Sequence, residues 1–190
     1  MVGKLNRRLG GGAILSLYNG LVLPHLQYCL MVWGDFREGR NVALGESLLR
    51  YQKRFAGLVA GLRGRYHADP LFARFSILKV GDLYRQQLRV HAWRFWNGHL
   101  PENQAAMLRR VGNDHAHVIR LARGGIHVGS RDHCSLGYRV PGEWASLTGE
   151  ERGMGSLAAF KRRSRAGFLR DYGGFVCGVP GCGVCGGPGV

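Results

Sequence analysis

The chain has 190 residues, 45% of them apolar, so it is long enough to bury one core or two small ones. Its 27 Lys and Arg residues outnumber 12 Asp and Glu residues, and the resulting formal net charge of +15 predicts an acidic polymer as the partner. No stretch has the length and apolar character of a membrane span and no signal-peptide pattern is visible, which argues against membrane-spanning and secreted proteins and favours an intracellular one.

After a flexible segment over residues 1–11, apolar residues at helical spacing predict a helix over 13–23. Pro24 is expected to kink or split this helix, which then continues over 26–33. A polar, glycine-containing loop follows, and a long helix is predicted over 42–62. That helix has one apolar face and, opposite to it, a basic face.

Two more helices are predicted before residue 100. Asp69 and Pro70 are typical of a helix start and predict a short helix over 71–75. A further helix is predicted to begin at 81–82 and to end at the Asn-Gly pair 97–98. Glycine readily adopts the left-handed backbone conformation that ends many helices. Large rings at helical spacing favour core packing over base stacking. The rings assigned to the core are Tyr18, Tyr28, Trp33, Phe55, Tyr84, Trp93 and Trp96.

Beyond residue 100 the pattern is less regular. The segment 101–140 is predicted to be a connector with little regular structure. It contains short stretches whose composition is compatible with β-strands, including 138–140. The segment 141–172 is predicted to contain a basic helix that begins after Ser156, and 173–190 to be a disordered Gly/Cys-rich tail. The predicted fold class is therefore mainly α, a helical bundle followed by an irregular connector, a basic C-terminal helix and a disordered tail.

Four blocks interleave aromatic and basic residues in a fixed order. They read LYNGLVLPHLQYCLMVWG, LLRYQKRFAGLVAG, YHADPLFARFSILKVGDLYRQQL and FWNGHLP. In order and spacing they resemble the region that follows the catalytic palm of LINE-type, jockey-like reverse transcriptases of non-LTR retrotransposons. The resemblance is close over residues 17–101 and loose over much of the remainder. It implies a thumb-like domain over 12–100 of an RNA-directed DNA polymerase, with an RNA template, a DNA primer and the palm and fingers region as partners and a nuclear location.

Polymerase catalysis needs two or three carboxylates that converge on magnesium ions. The family carries an aromatic-x-Asp-Asp turn on the palm, whereas the aspartates of this chain stand apart and only Glu150 and Glu151 are adjacent acids. We therefore expect no catalytic residue and no cofactor in this chain, and no polymerase activity from these residues alone. The resemblance implies that Mg²⁺ is bound only in the intact polymerase.

Basic residues on helices are the candidates for gripping a phosphate backbone, because arginine binds phosphate oxygens in a bidentate manner. The predicted nucleic-acid-binding residues are Arg50, Lys53, Arg54, Arg85, Arg89, Lys161, Arg162, Arg163 and Arg165. A solvated helix face, or an Arg- and Gly-rich composition produced by GC-biased coding, accounts for the same residues without a ligand. The predicted function is to grip the template-primer. The alternatives are a host-used or structural helical module that binds a protein partner, and a decayed non-functional copy.

The last cysteines follow the pattern Cys177-x4-Cys182-x2-Cys185. The close pair has a spacing from which two thiolates reach one tetrahedral zinc ion. A fourth ligand would have to come from His133, Cys134 or another distant group, because the downstream histidine of the zinc motif that ends some retrotransposon polymerases is missing. We predict no metal site, and zinc at these three cysteines remains the alternative.

Overall fold

The computed structural model describes residues 10–36, 41–62, 65–106, 108–111, 120–123, 136–174, 182 and 184–185. These residues are mainly helical, which confirms the predicted fold class. None of the helices among them combines the length and the apolar character that a membrane crossing requires. In chain order the elements are α1 (Gly11–Leu17), a π-helical turn (Tyr18–Val22), α2 (Leu23–Gln27), α3 (Leu30–Trp33), α4 (Val42–Val59), α5 (Asp69–Arg74), α6 (Val80–Trp96), α7 (Glu102–Ala105), β1 (Leu108–Val111), β2 (Arg120–Arg123), α8 (Leu136–Ala145), α9 (Gly149–Arg152) and α10 (Leu157–Asp171).

The N-terminal helix is continuous through Pro24, so it is not split there, which was one of the two outcomes predicted for that proline. The π-helical turn comes just before it, with the Leu23 N–H bonded to the Tyr18 carbonyl, and Pro24 occupies the second position of α2. Because proline has no N–H for the intrahelical hydrogen bonds, the helix adjusts locally, here by the π-helical turn that precedes the proline. The chain breaks at Cys29 instead, whose φ of 49° is in the left-handed region.

Helix α4 has the apolar inner face that the sequence predicted, and Gln52 lies at the centre of that face. Its Nε2 donates to the Tyr18 hydroxyl at 2.8 Å and to the Leu78 carbonyl at 3.0 Å, while its Oε1 accepts from the Val80 N–H at 2.8 Å. The side chain is 4% exposed. One buried amide therefore joins the π-helical turn, α4 and the start of α6.

Helix α6 is the central helix, with contacts to α2, α3, α4, α8 and α10. It ends as predicted: Gly98 has a φ of 73°, the His99 N–H bonds to the Arg94 carbonyl and the Gly98 N–H to the Phe95 carbonyl. This is the Schellman pattern of hydrogen bonds, which satisfies the last carbonyls of a helix.

Most of the predicted core rings are buried or packed against the core. Trp93 stacks on Phe160 at 6.1 Å between ring centroids, and its indole N–H donates to the Met154 carbonyl at 2.8 Å. Tyr28 is the exception, because its side chain is 76% exposed, and its assignment to the core is wrong. It lies at the break before α3, where none of the described helices covers it.

The part predicted as an irregular connector contains regular structure. Strands β1 and β2 pair in antiparallel fashion, with Leu108 opposite Arg123, and β2 lies against α8. Residues 138–140, predicted as β-permissive, are helical in α8. Val140 and Trp144 are buried one turn apart on this helix. Their packing against α6 therefore outweighs the tendency of the interior Pro141 to break a helix.

The C-terminal helices pack onto the same core as the N-terminal ones. A capping box at Thr148 and Glu151 begins α9, and α10 begins after Ser156 as predicted. Phe160, Phe168 and Tyr172 extend one cluster of buried side chains that also contains Tyr18 and Leu30. The basic helix is therefore fixed against the bundle.

Candidate nucleic-acid interface

The nine predicted binding residues occupy three helices, and those of α4 lie on its exposed face. Arg50, Lys53 and Arg54 follow the i, i+3, i+4 spacing of one helix face, and all three are exposed. Arg50 donates to the Ser47 hydroxyl at 3.0 Å. Among the described residues, none of these three cations is within ion-pair distance of a carboxylate. Their charge is therefore directed toward solvent or a ligand.

Arg85 and Arg89 of α6 are used inside the fold. Their Nε atoms lie 2.9 Å and 3.2 Å from the two carboxylate oxygens of Glu143 on α8. Both guanidinium groups also lie over the ring of Phe168, at 5.1 Å and 4.6 Å from its centroid. The Glu143 side chain is only 8% exposed, so this pairing is largely withdrawn from water. Both arginines therefore contribute to packing of α6 against α8 and α10, and both also line a pocket together with Arg163 and Arg170.

Three of the four predicted cations of α10 line one groove. This basic groove is formed between α2, α6 and α10 and has a volume of about 400 Å³. Its lining residues are Gln27, Gln86, Gln87, Val90, Lys161, Arg162 and Arg165. Among them are three cations, three carboxamides and no carboxylate, so its potential is positive and its polar atoms include N–H donors.

Hydrogen bonds fix two walls of the basic groove. Gln86 Nε2 donates to the Lys161 carbonyl at 3.3 Å, and Gln87 Nε2 donates to the Gln27 carbonyl at 3.1 Å. Arg165 donates to the Ser76 carbonyl, which anchors its guanidinium group beside α5. Lys161 and Arg162 remain exposed at the groove. Sequence reasoning missed the three glutamines, since only the approach of α2 and α10 to α6 brings them beside the cations.

Arg163 points to a different side of α10. Its guanidinium group lies 3.3 Å from Glu150, and both side chains are well exposed, at 53% and 80%. A second, mixed-charge pocket on that side is lined by four arginines and two acids, Arg85, Arg89, Arg163, Arg170, Glu151 and Asp171. The four cations predicted as one patch are therefore divided, and only three of them share the basic groove.

An apolar groove adjoins the basic groove on the other side of α2. It has a volume of about 520 Å³ and runs between the N-terminal helix and α4. Its lining residues are Tyr18, Val22, Leu26, Leu48, Tyr51, Gln52, Arg54, Phe55 and Leu58. Leu26 lines this apolar groove and its neighbour Gln27 lines the basic groove, so α2 is the partition between them.

Tyr18 lies close to both grooves and has a raised pKa. Burial of its ring is the main cause, and the hydrogen bond from Gln52 and the positive charge of Arg165 oppose it. The phenol therefore stays neutral at physiological pH. It contributes a ring to the apolar groove and no charge to the basic one.

Of the predicted tail cysteines, the structure describes Cys182 and Cys185, and Cys177 lies outside the described residues together with His133 and Cys134. Cys182 is buried, at 3% exposure, on the side of His67. This part of the tail is therefore packed onto the bundle, in contrast to the disorder predicted for it. Within the part of the chain that the structure describes, no three His, Cys, Asp or Glu side chains are already gathered around a position for a metal ion.

Comparisons with protein-family models, with curated proteins and with solved structures find no match to this chain.

Proposed function

We propose that this chain grips nucleic acid, with the basic groove as its phosphate-contacting surface. The observation that carries the proposal is the lining of that groove, three cations and three carboxamides without a carboxylate. Guanidinium and ammonium groups neutralise phosphates, and carboxamide N–H groups donate to phosphate or sugar oxygens. The neighbouring helices are held by a common core, which keeps the groove preorganised.

The sequence resemblance suggests which nucleic acid is bound. As the thumb-like part of a LINE-type reverse transcriptase, the chain would hold an RNA template paired with a DNA primer. Nucleotidyl transfer and its Mg²⁺ would belong to the palm of the intact polymerase, and the location would be nuclear. Arg50, Lys53 and Arg54 are further exposed cations on α4. Lys161, Arg162 and Arg165 are the centre of the phosphate-contacting surface, and Arg163 is left out of it.

The salt dependence of duplex binding tests this proposal. We expect the double variant Lys161→Gln/Arg162→Gln to bind an RNA–DNA primer-template more weakly, because two phosphate contacts are lost. Each contact contributes about 0.9 to the slope of log affinity against log salt, so the slope falls by about 1.8. At roughly 0.15 M salt that corresponds to about 30-fold weaker binding. Fluorescence anisotropy over a series of salt concentrations measures both quantities.

A matched control exists on the same helix. Arg163→Gln/Arg170→Gln removes the same charge from the mixed-charge pocket on the other side of α10. We expect this control to change the slope by less than half as much. Equal weakening by the two double variants would mean that only net charge matters and would refute the assignment to the basic groove.

A second candidate function, docking of a protein partner, is favoured by the apolar groove. Its rim carries Arg54, and the neighbouring Arg50 and Lys53 are also exposed on α4. This charge is complementary to an amphipathic helix with an apolar stripe and flanking acidic residues. An acidic amphipathic helix is therefore the proposed ligand of the apolar groove.

Titration with a labelled acidic amphipathic helical peptide tests the second candidate. Binding should be lost in Leu48→Asp, remain in Lys161→Gln/Arg162→Gln and weaken with salt less steeply than duplex binding, because salt screens only the flanking charges. A scrambled peptide of equal charge is the control, because it lacks the apolar stripe. If the scrambled peptide binds equally well, attraction is only electrostatic and the docking function is wrong.

A further inference from the structure

Two cysteines of the C-terminal tail meet one histidine from the middle of the chain. Cys185 Sγ lies 3.7 Å from Nδ1 of His67, which is hydrogen-bond distance for a sulfur atom. Cys182 Sγ accepts a hydrogen bond from the backbone N–H of the same histidine at 3.3 Å. Cys182 is buried, whereas Cys185 is exposed. One thiol is therefore accessible from solvent beside an imidazole ring, and a second thiol is held at the same residue.

The ring of His67 is oriented to take up the proton of the Cys185 thiol. Its Nε2 faces Oδ2 of Asp69 at 3.7 Å, and Oδ1 of Asp69 lies 3.0 Å from Lys79 Nζ. A carboxylate beside one ring nitrogen favours the proton at that nitrogen and leaves a lone pair on the other. Nδ1 therefore accepts from the thiol, and the imidazolium that proton transfer creates faces a carboxylate. A base beside a thiol, with a third group that orients the base, is the arrangement that activates a nucleophile.

Spacing and exposure give the two cysteines different roles. Two residues separate them in the sequence, which is the spacing of the paired thiols that form a reversible disulfide in many redox proteins. Oxidants react with the thiolate, so the exposed Cys185 beside the imidazole is the one that reacts first. The buried Cys182 is then the thiol that closes the disulfide. Cys29 is also exposed, but its thiol has no hydrogen bond to a histidine among the described residues, so it is the reference thiol.

We propose that Cys185 is a peroxide-reactive thiol with Cys182 as its resolving partner. His67 is the base that takes the thiol proton, and Asp69 is the positioning residue for His67. Asp69 is the first residue of α5 rather than its cap, which directs its carboxylate to this contact.

The reaction has two steps. The Cys185 thiolate attacks one oxygen of the peroxide, the O–O bond breaks, and the leaving alkoxide or hydroxide takes the proton from the His67 imidazolium. The sulfenic acid on Cys185 then reacts with the Cys182 thiol: the S–S bond forms, the S–O bond breaks and water leaves. Two thiols thereby lose two electrons and become a disulfide, while the peroxide gains two electrons and yields an alcohol, or water from hydrogen peroxide, together with the second water.

Thiol reactivity in the reduced, unmodified chain tests the activation of Cys185. An ordinary thiol is only a few per cent thiolate at neutral pH, so proton transfer to His67 should make Cys185 react at least about tenfold faster than Cys29. Alkylation by iodoacetamide, followed by peptide mass spectrometry, measures both rates in one sample. His67→Gln should remove the difference and leave the rate of Cys29 unchanged. Equal rates at the two cysteines of the unmodified chain would overturn the proposal without the use of any variant.

The role of Asp69 is tested by the same rates. Asp69→Asn should slow the alkylation of Cys185 several-fold, because the neutral amide no longer favours the imidazolium. Asp69→Glu restores a carboxylate and should recover most of the rate. Equal slowing in both variants would mean that Asp69 acts only through the structure of α5 and would overturn its positioning role.

Treatment with hydrogen peroxide tests the redox step. The tail peptide should lose two hydrogen atoms, and dithiothreitol should restore its mass. We expect this disulfide in the matched control Cys177→Ser and not in Cys182→Ser, where dimedone should trap the sulfenic acid on Cys185 instead. The reverse pattern in these two variants would overturn the role of Cys182. Oxidation of Cys185 no faster than that of Cys29 would overturn the site as a whole.

Discussion

Replacement of Glu143 by alanine is expected to lower the free energy of unfolding by about 3–5 kcal/mol, because it leaves buried charges without their partner. The carboxylate lies between Arg85 and Arg89, with both Nε–O distances at or below 3.2 Å. Arg89 is only 11% exposed, so water compensates only in part for the lost contact. The two guanidinium groups would then repel each other above the ring of Phe168. Urea unfolding monitored by tryptophan fluorescence measures the loss.

The matched comparison is Glu150→Ala, which removes the partner of Arg163. That pair is exposed at both ends, and surface pairs contribute about 0–1 kcal/mol. Glu143→Gln separates charge from hydrogen bonding, since the amide keeps one acceptor. If Glu143→Ala and Glu150→Ala were equally stable, the assignment of Arg85 and Arg89 to the fold would fail. Both would then return as candidates for phosphate contact.

The second large effect is expected at Gln52. In Gln52→Leu the side chain keeps a similar size but loses all its hydrogen bonds. The Val80 N–H and the Leu78 carbonyl then remain buried without that partner, at about 1–3 kcal/mol each. The Tyr18 hydroxyl loses a donor as well. We expect the free energy of unfolding to fall by about 3 kcal/mol or more.

Gln87→Leu is the control for this prediction. It removes the same amide from a groove wall where its bond to the Gln27 carbonyl is open to solvent. Water replaces that bond, so the loss should stay below about 1 kcal/mol. If the two substitutions lowered the free energy of unfolding equally, the buried hydrogen bonds of Gln52 would not stabilise the fold more than a solvent-exposed bond does. Hydrogen exchange of the Val80 amide gives a local readout and should speed up in Gln52→Leu alone.

Periodicity predicted the helices of residues 42–98 well because their apolar stripes are long and their ends carry clear signals. The Asn97-Gly98 stop is one such signal, and it forms the expected hydrogen bonds. Helix α8 could not be predicted in this way, because Gly137 and Pro141 both disfavour helix. Burial of Val140 and Trp144 against α6 is a tertiary effect that local propensity does not contain.

The candidate site was only partly predictable for the same reason. Charge alone selected Arg85 and Arg163 together with Arg162, whereas the fold directs the first toward Glu143 and the second toward Glu150. The basic groove also depends on Gln27 and Gln86, which come from helices far apart in the chain. The basic residues are visible in the sequence, but the carboxylate nearest to each of them is determined by the fold.

The π-helical turn before Pro24 determines how the two grooves are divided. A π-helical turn holds one residue more than an α-helical one, and each residue of an α-helix turns the chain by about 100°. That extra residue fixes the rotation at which Leu26 faces the apolar groove and Gln27 the basic one. Loss or gain of a single residue between 18 and 22 would therefore turn α2 by about 100° and remove Leu26 and Gln27 from the grooves that they line, while the composition of the chain stayed almost the same.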